Sequence, residues 1–224
     1  MKQSFEQTQD ELAVKNFSRR NFFQMAGGLA GAGMLFAACS KSSDTTGPTS
    51  FTLTNNDTGI LNYAYALEQL EAAFYIQVIA TPYSGMSGGE KTLLTAVRDH
   101  EVAHREFFKA ALSSSAIGSL TVDFSIIDFT SRTSVLSTAM AFEDLGVSAY
   151  NGAGPLFQSP TYLGLAGKIV SVEARHAAYL RDLVTPNSFA TNADGYGLDF
   201  SKPPSVVLMT ASKYLKTKVT SLLP

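Results

Sequence analysis

The chain has 224 residues, 45 % of them apolar and 16 % charged, with a formal net charge of −2. At about 100–200 residues per domain this is one domain with extensions, and Lys+Arg 17 against Asp+Glu 19 leaves no basic surplus for nucleic acid. The single cysteine excludes a disulfide framework and a cysteine-rich zinc site, and beyond the N-terminus no apolar run reaches the about 18 residues of a membrane span.

Residues 1–39 read as an address. A polar stretch leads to Ser18-Arg19-Arg20-Asn21-Phe22-Phe23, followed by a Gly/Ala-rich apolar segment diluted by Gln24. A twin-arginine pair before a weak apolar region predicts a Tat-type export signal. The segment closes on Leu35-Phe36-Ala37-Ala38-Cys39, small residues before the only cysteine, which predicts a lipobox with lipidation at Cys39. A plain cysteine in a cleaved or uncleaved signal is the competing reading. Removing residues 1–38 leaves 13 basic against 16 acidic side chains, a net charge of −3. Residues 40–56, rich in Ser and Thr with Gly47-Pro48, read as a flexible tether.

Four helical patterns follow. Segment A runs from about Thr58 to Thr81, with Asp57 as its expected cap and Pro82 as its stop. Segment B opens on Ser87-Gly88-Gly89-Glu90, a capping-box pattern, and fades in Ser113-Ser114-Ser115. Segment C begins near Ser131 and stops at Gly152-Ala153-Gly154-Pro155. Segment D begins with Ser159-Pro160, a cap and then a first-turn proline, and ends before Pro186. A loop-rich tail from Asn187 to Pro204 leads to a short fifth helical pattern over about Ser205 to Lys218.

The connections set the topology. A to B and C to D are short, so each pair is expected as an antiparallel hairpin. B to C takes 18 residues, Ser113 to Thr130. Extended, they reach roughly 59 Å, against roughly 36 Å for a 24-residue helix. They can therefore run the length of a bundle and start C at the same end as B. One long crossover in an all-α four-helix bundle is the ferritin-like arrangement.

At helical spacing, each segment presents one apolar stripe with a polar centre. Segment A offers Leu61, Tyr65, Glu68, Ala72 and Tyr75; segment B, Leu94, Val97, Glu101, His104 and Phe108. Segment C offers Leu136, Ala139, Glu143, Val147 and Tyr150; segment D, Ala166, Ile169, Glu173, His176 and Leu180. A buried ionised carboxylate without a partner costs several kcal/mol, and four at one level of a bundle also repel one another. No Lys or Arg lies on these stripes. Two divalent cations would balance four carboxylates, and two neutral imidazoles would complete the donor set. Glu and His at i, i+3 share a helix face, so one turn can offer both to one ion. The code also repeats: Glu68 and Glu143 are each followed seven residues later by a tyrosine, Tyr75 and Tyr150.

The order Glu68, Glu101-x-x-His104, Glu143, Glu173-x-x-His176 resembles the ferritin-like superfamily, in its branch of bacterioferritins and rubrerythrins. Leu67-Glu68-Gln69-Leu70-Glu71-Ala72-Ala73-Phe74-Tyr75 and Phe142-Glu143-Asp144-Leu145-Gly146-Val147-Ser148-Ala149-Tyr150 look closer still to exported ferritin-like domain proteins, a group similar to plant desiccation-related proteins. The resemblance spans about Gly59 to Leu183 and implies a four-helix bundle over 57–185, a C-terminal extension over 186–224, and a dinuclear site. Family members that oxidise iron efficiently often carry Asp just before the Glu of each Glu-x-x-His, orienting a ligand His. Here those positions are His100 and Val172.

Glu71, three residues from Glu68, competes with it as a ligand, and the tyrosine at plus seven favours Glu68. His100, one turn before His104, is a competing metal ligand, but it falls off the stripe, which favours a place at the surface or beside a ligand. Tyr75 and Tyr150 are expected to pack and to hydrogen-bond a ligand carboxylate, and Asp144 to be a solvated helix residue. A metal-free polar core layer is the bland alternative for the whole constellation.

The functional expectation is an exported, periplasmic or cell-envelope ferritin-like protein holding two divalent metal ions, iron first and manganese second. Its chemistry as a di-iron or di-manganese oxidoreductase would involve O2 or peroxide, as ferroxidase, peroxidase or catalase-like activity. The alternative is a non-catalytic metal-binding or desiccation and stress-protection protein. Beyond the metal ions and O2 or peroxide, the expected partners are a membrane reached through the lipid and a second copy in a homodimer.

Overall fold

The computed structural model describes residues 49–224, so the export signal, Cys39 and the first part of the tether lie outside the described residues. In chain order come β1 (Ser50–Leu53), α1 (Asp57–Ala80), α2 (Gly88–Leu112), α3 (Arg132–Ala153), α4 (Pro160–Val184), α5 (Pro204–Ala211) and β2 (Lys218–Ser221). Among the described residues no helix is long and apolar enough to cross a membrane.

Local chemistry accounts for each helix start. Asn56, rather than Asp57, caps α1, its side-chain oxygen accepting from Gly59 N at 2.9 Å. Asp57 instead accepts from the backbone N–H groups of Gln158 (2.7 Å) and Ser159 (3.0 Å), tying the start of α1 to that of α4. Ser87 and Glu90 close a reciprocal capping box on α2. Glu90 also receives Arg132 Nε at 2.6 Å, which holds the start of α3 beside the start of α2. Ser131 caps α3 and Ser159 caps α4, with Pro160 in the first turn.

The helices pack chiefly as the pairs α1–α2 and α3–α4. The crossover between α2 and α3 is laid along α1 by two buried amides. Near the start of α1, Asn62 accepts from Ile117 N at 2.7 Å and donates to the Ser115 carbonyl at 2.9 Å. Two turns on, Gln69 accepts from Leu120 N at 2.9 Å. Beyond the far end of α1, Ser84 N donates to the Thr130 carbonyl at 3.3 Å. The connection therefore travels the whole helix and delivers α3 to the end where α2 began. This is the ferritin-like bundle with one long crossover and a short C-terminal helix.

Two details differ from the sequence expectation. The fifth helix stops at Ala211 rather than near Lys218, and β2 follows it. The tether ends before Ser50, because β1 pairs in parallel with β2, from Ser50 with Lys218 to Leu53 with Ser221. Gly59 allows the chain to turn back at this point. A Cβ there would lie 1.7 Å from the Thr54 carbonyl oxygen.

Apolar clusters flank the middle of the bundle. On one side Phe74 meets Phe142 edge-on, ring centres 5.1 Å apart, and Phe142 meets Tyr214 at 4.7 Å, docking the C-terminal segment on the core. On the other, Leu61, Tyr65, Phe108, Tyr150 and Ile169 pack together. The polar residues of the four stripes lie between these layers.

Candidate metal centre

Glu68 on α1, Glu101 on α2, Glu143 on α3 and Glu173 on α4 are each 0 % exposed. One turn after Glu101 and Glu173, His104 and His176 aim their Nδ1 atoms at the carboxylates. His104 Nδ1 lies 3.0 Å from Glu173, 3.4 Å from Glu68 and 3.5 Å from Glu101. His176 Nδ1 lies 2.9 Å from Glu101 and 3.2 Å from Glu143. Two overlapping sets of donor atoms result, each within 4.8 Å: Glu68, Glu101, His104 and Glu173, then Glu101, Glu143, Glu173 and His176. Glu101 and Glu173 belong to both.

The tyrosines hold the two unshared glutamates, and they do so crosswise. Tyr75 donates to Glu143 Oε1 at 2.5 Å, and Tyr150 donates to Glu68 Oε1. Seven residues span about 10 Å of helix, too far for Tyr75 to reach the glutamate of its own helix. The residue types expected to contact carboxylates do so, with partners exchanged between α1 and α3.

A layer without metal would be hard to sustain. Both oxygens of Glu101, both of Glu173, Glu68 Oε2 and His104 Nδ1 are buried and make no hydrogen bond, although several approach one another closely. Buried polar atoms are normally paired, and convergent lone pairs without donors are the arrangement that a cation satisfies. Among the described residues, the ion pairs of these carboxylates are all to imidazoles. The carboxylate and imidazole donor set therefore fits two divalent cations.

Protonation shows the same strain. Burial raises Glu68 to about 7 and drives Glu173 well above the usual carboxylate range, with Glu101 nearby adding to the latter. Burial and the Glu101 charge also raise Glu143. Burial opposes ionisation of Glu101 as well, but the two imidazoles beside it, His104 and His176, hold it down at about 2. Burial would lower His104 and His176; the carboxylates around them lift them to about 12 and about 9.

A family model described as ferritin-like domain matches residues 56–186. The chain belongs to the ferritin-like domain family. No curated protein matches it.

The remaining candidates sit around this ferritin-like centre in distinct ways. His100, off the stripe as expected, is exposed, yet its Nδ1 lies 2.8 Å from His176 Nε2 and the two rings stack 5.1 Å apart at 13°. Glu71 is outside both donor sets but is just as secluded, at 4 % exposure. Its neighbour is Gly146, which the sequence reading did not single out. A Cβ there would lie 3.2 Å from Glu71 Oε1 and 3.3 Å from Glu173 Oε2. The available signal was positional, since Gly146 and Glu71 each follow a stripe glutamate by three residues. Asp144 is not a solvated helix residue. It pairs with Arg181 of α4 and accepts from Asn192 at 2.9 Å, fastening the loop after α4 to the bundle.

Proposed function

We propose that this ferritin-like domain is an exported protein that binds two iron or manganese ions and carries out redox chemistry with O2 or peroxide. The supporting observation is the set of buried, hydrogen-bond-free oxygens on Glu101 and Glu173, common to both donor groups. Glu68 and His104 would hold one ion, Glu143 and His176 the other, and Glu101 and Glu173 would be shared. Two such ions supply a two-electron couple to a small oxidant.

The chain's own groups prepare the site. Tyr150 and Tyr75 each occupy one oxygen of Glu68 and Glu143, leaving the other to turn inward. Apolar residues on either side keep bulk water from the carboxylates. His104, with 13 % of its side chain exposed, is among the donor residues nearest solvent.

The test is reconstitution of metal-free protein with Fe(II) and separately with Mn(II), followed by assays of Fe(II) oxidation and peroxide consumption. Two ions per chain with turnover support the proposal; two ions without turnover favour the metal-binding protection protein. Arg19-Arg20 and Cys39 carry the export and anchoring part of the reading. Changing both arginines to Lys should retain the protein in the cytoplasm, and Cys39→Ser should release it from membranes. Continued export, or unaltered membrane retention, would contradict them.

A further inference from the structure

The two halves of the donor cluster repeat each other, but their outer contacts do not. His176 is held at both ends: Nδ1 faces Glu101 and Glu143, and Nε2 meets His100 Nδ1 at 2.8 Å. His104 presents its Nδ1 to Glu68, Glu101 and Glu173 in the same manner, but no side chain among the described residues hydrogen-bonds its Nε2. The sequence supplies the reason. His100 precedes Glu101 on α2, and the residue that precedes Glu173 on α4 is Val172, which carries no polar group.

We propose that His100 is a positioning residue that makes the two metal positions unequal, so that the one built on Glu143 and His176 takes its ion more tightly than the one built on Glu68 and His104. The inference rests on the dinuclear reading and adds an order of filling to it. A histidine that gives its Nδ1 lone pair to a cation carries its proton on Nε2. In His176 that N–H has an acceptor ready in His100 Nδ1, which fixes the tautomer and the ring plane. The near-parallel stack of the two rings restricts rotation further. Among the described residues His104 has no such partner on its Nε2 and is oriented from its Nδ1 side only. Hydrogen-bonded partners of metal-ligating histidines are worth about 10–100-fold in metal affinity, so the two binding steps should separate by about that factor. His100 is exposed and touches no carboxylate oxygen of the cluster, so its removal leaves all six donor residues in place.

The experiment is a Co(II) titration of metal-free full-length protein, followed by calorimetry and by the visible ligand-field bands of the bound ion. Wild type should take up two Co(II) ions in two resolved steps. His100→Ala should keep both sites but weaken the tighter step about 10–100-fold, merging the steps and shifting the first-ion spectrum. His100→Asp, which restores an acceptor for the His176 N–H, should recover the separation. Melting temperatures of the metal-free variants should match wild type, which distinguishes positioning from a packing defect. A wild-type isotherm superimposable on that of His100→Ala overturns the proposal, as does His100→Asp binding no better than the alanine variant. Wild type that binds no Co(II) overturns instead the dinuclear reading beneath it.

Discussion

Tyr75 hydrogen-bonds Glu143, the glutamate of the opposite helix, and Tyr150 returns the bond to Glu68. Each phenol thus clamps a carboxylate across the α1–α3 interface, at a level where burial disfavours charge. Tyr150→Phe removes a donor without changing shape. Hydrogen bonds to charged groups contribute about 1.5–3 kcal/mol, so affinity for the ion at Glu68 should fall by at least about tenfold, readable by metal titration. Unchanged binding would mean that the phenol does not orient the ligand.

Glu68 and Glu71 are both buried on α1, but only Glu68 contributes to a donor set. Glu68→Gln should lower the metal count per chain. Glu71→Gln should leave two ions bound and the metal-free fold as stable as wild type, because burial and the surrounding carboxylates already disfavour the charged form of Glu71. Metal analysis beside thermal melting separates the two. The reverse pattern would move the centre along the helix.

Much of this was legible in the sequence, for identifiable reasons. The capping box at Ser87 and Glu90, the start near Ser131, the serine cap at 159 and the polar centre of each apolar stripe are local patterns, and each has its counterpart in the fold. The β1–β2 pairing was not, because two four-residue strands 168 positions apart carry no periodicity that links them. The crossed tyrosines and the His100–His176 contact depend on how helices face one another. Helical spacing along one segment says nothing of that, and Asp57 lost the cap to Asn56 by a single residue.

Gly146→Ala tests how closely the carboxylates are fitted. The added methyl would stand 3.2 Å from Glu71 and 3.3 Å from Glu173, nearer than ordinary contact, so a carboxylate must shift. Because Glu173 belongs to both donor sets, metal occupancy should fall while helix content by circular dichroism stays at the wild-type value. Full occupancy would show that Glu71 alone can yield.

The metal-free protein should become less stable as pH rises. Glu68 is raised from 4.5 to about 7, so its contribution is fully present below pH 4.5 and is lost as pH climbs through about 7. Glu143 and Glu173, also raised, act in the same direction. His176, raised from 6.5 to about 9, extends the loss upward. Glu101, lowered to about 2, matters only below pH 4.5, where its contribution is lost as pH falls. Bound cations need these carboxylates unprotonated, so the gain in melting temperature on metal loading should widen from about pH 5 to about pH 8. A gain independent of pH would contradict this exchange of protons for metal.

The most direct test is the metal response of the double variant Glu101→Gln with Glu173→Gln, which removes the two shared charges and keeps their shape. Wild type should bind two Fe(II) or Mn(II) ions per chain and gain melting temperature, each ion contributing about 2.7 kcal/mol at a hundredfold excess over its Kd. The variant should lose that response while its metal-free form melts at or above the wild-type temperature. Wild-type protein that binds no metal and melts identically to the variant would show the four glutamates to be a polar layer of the core.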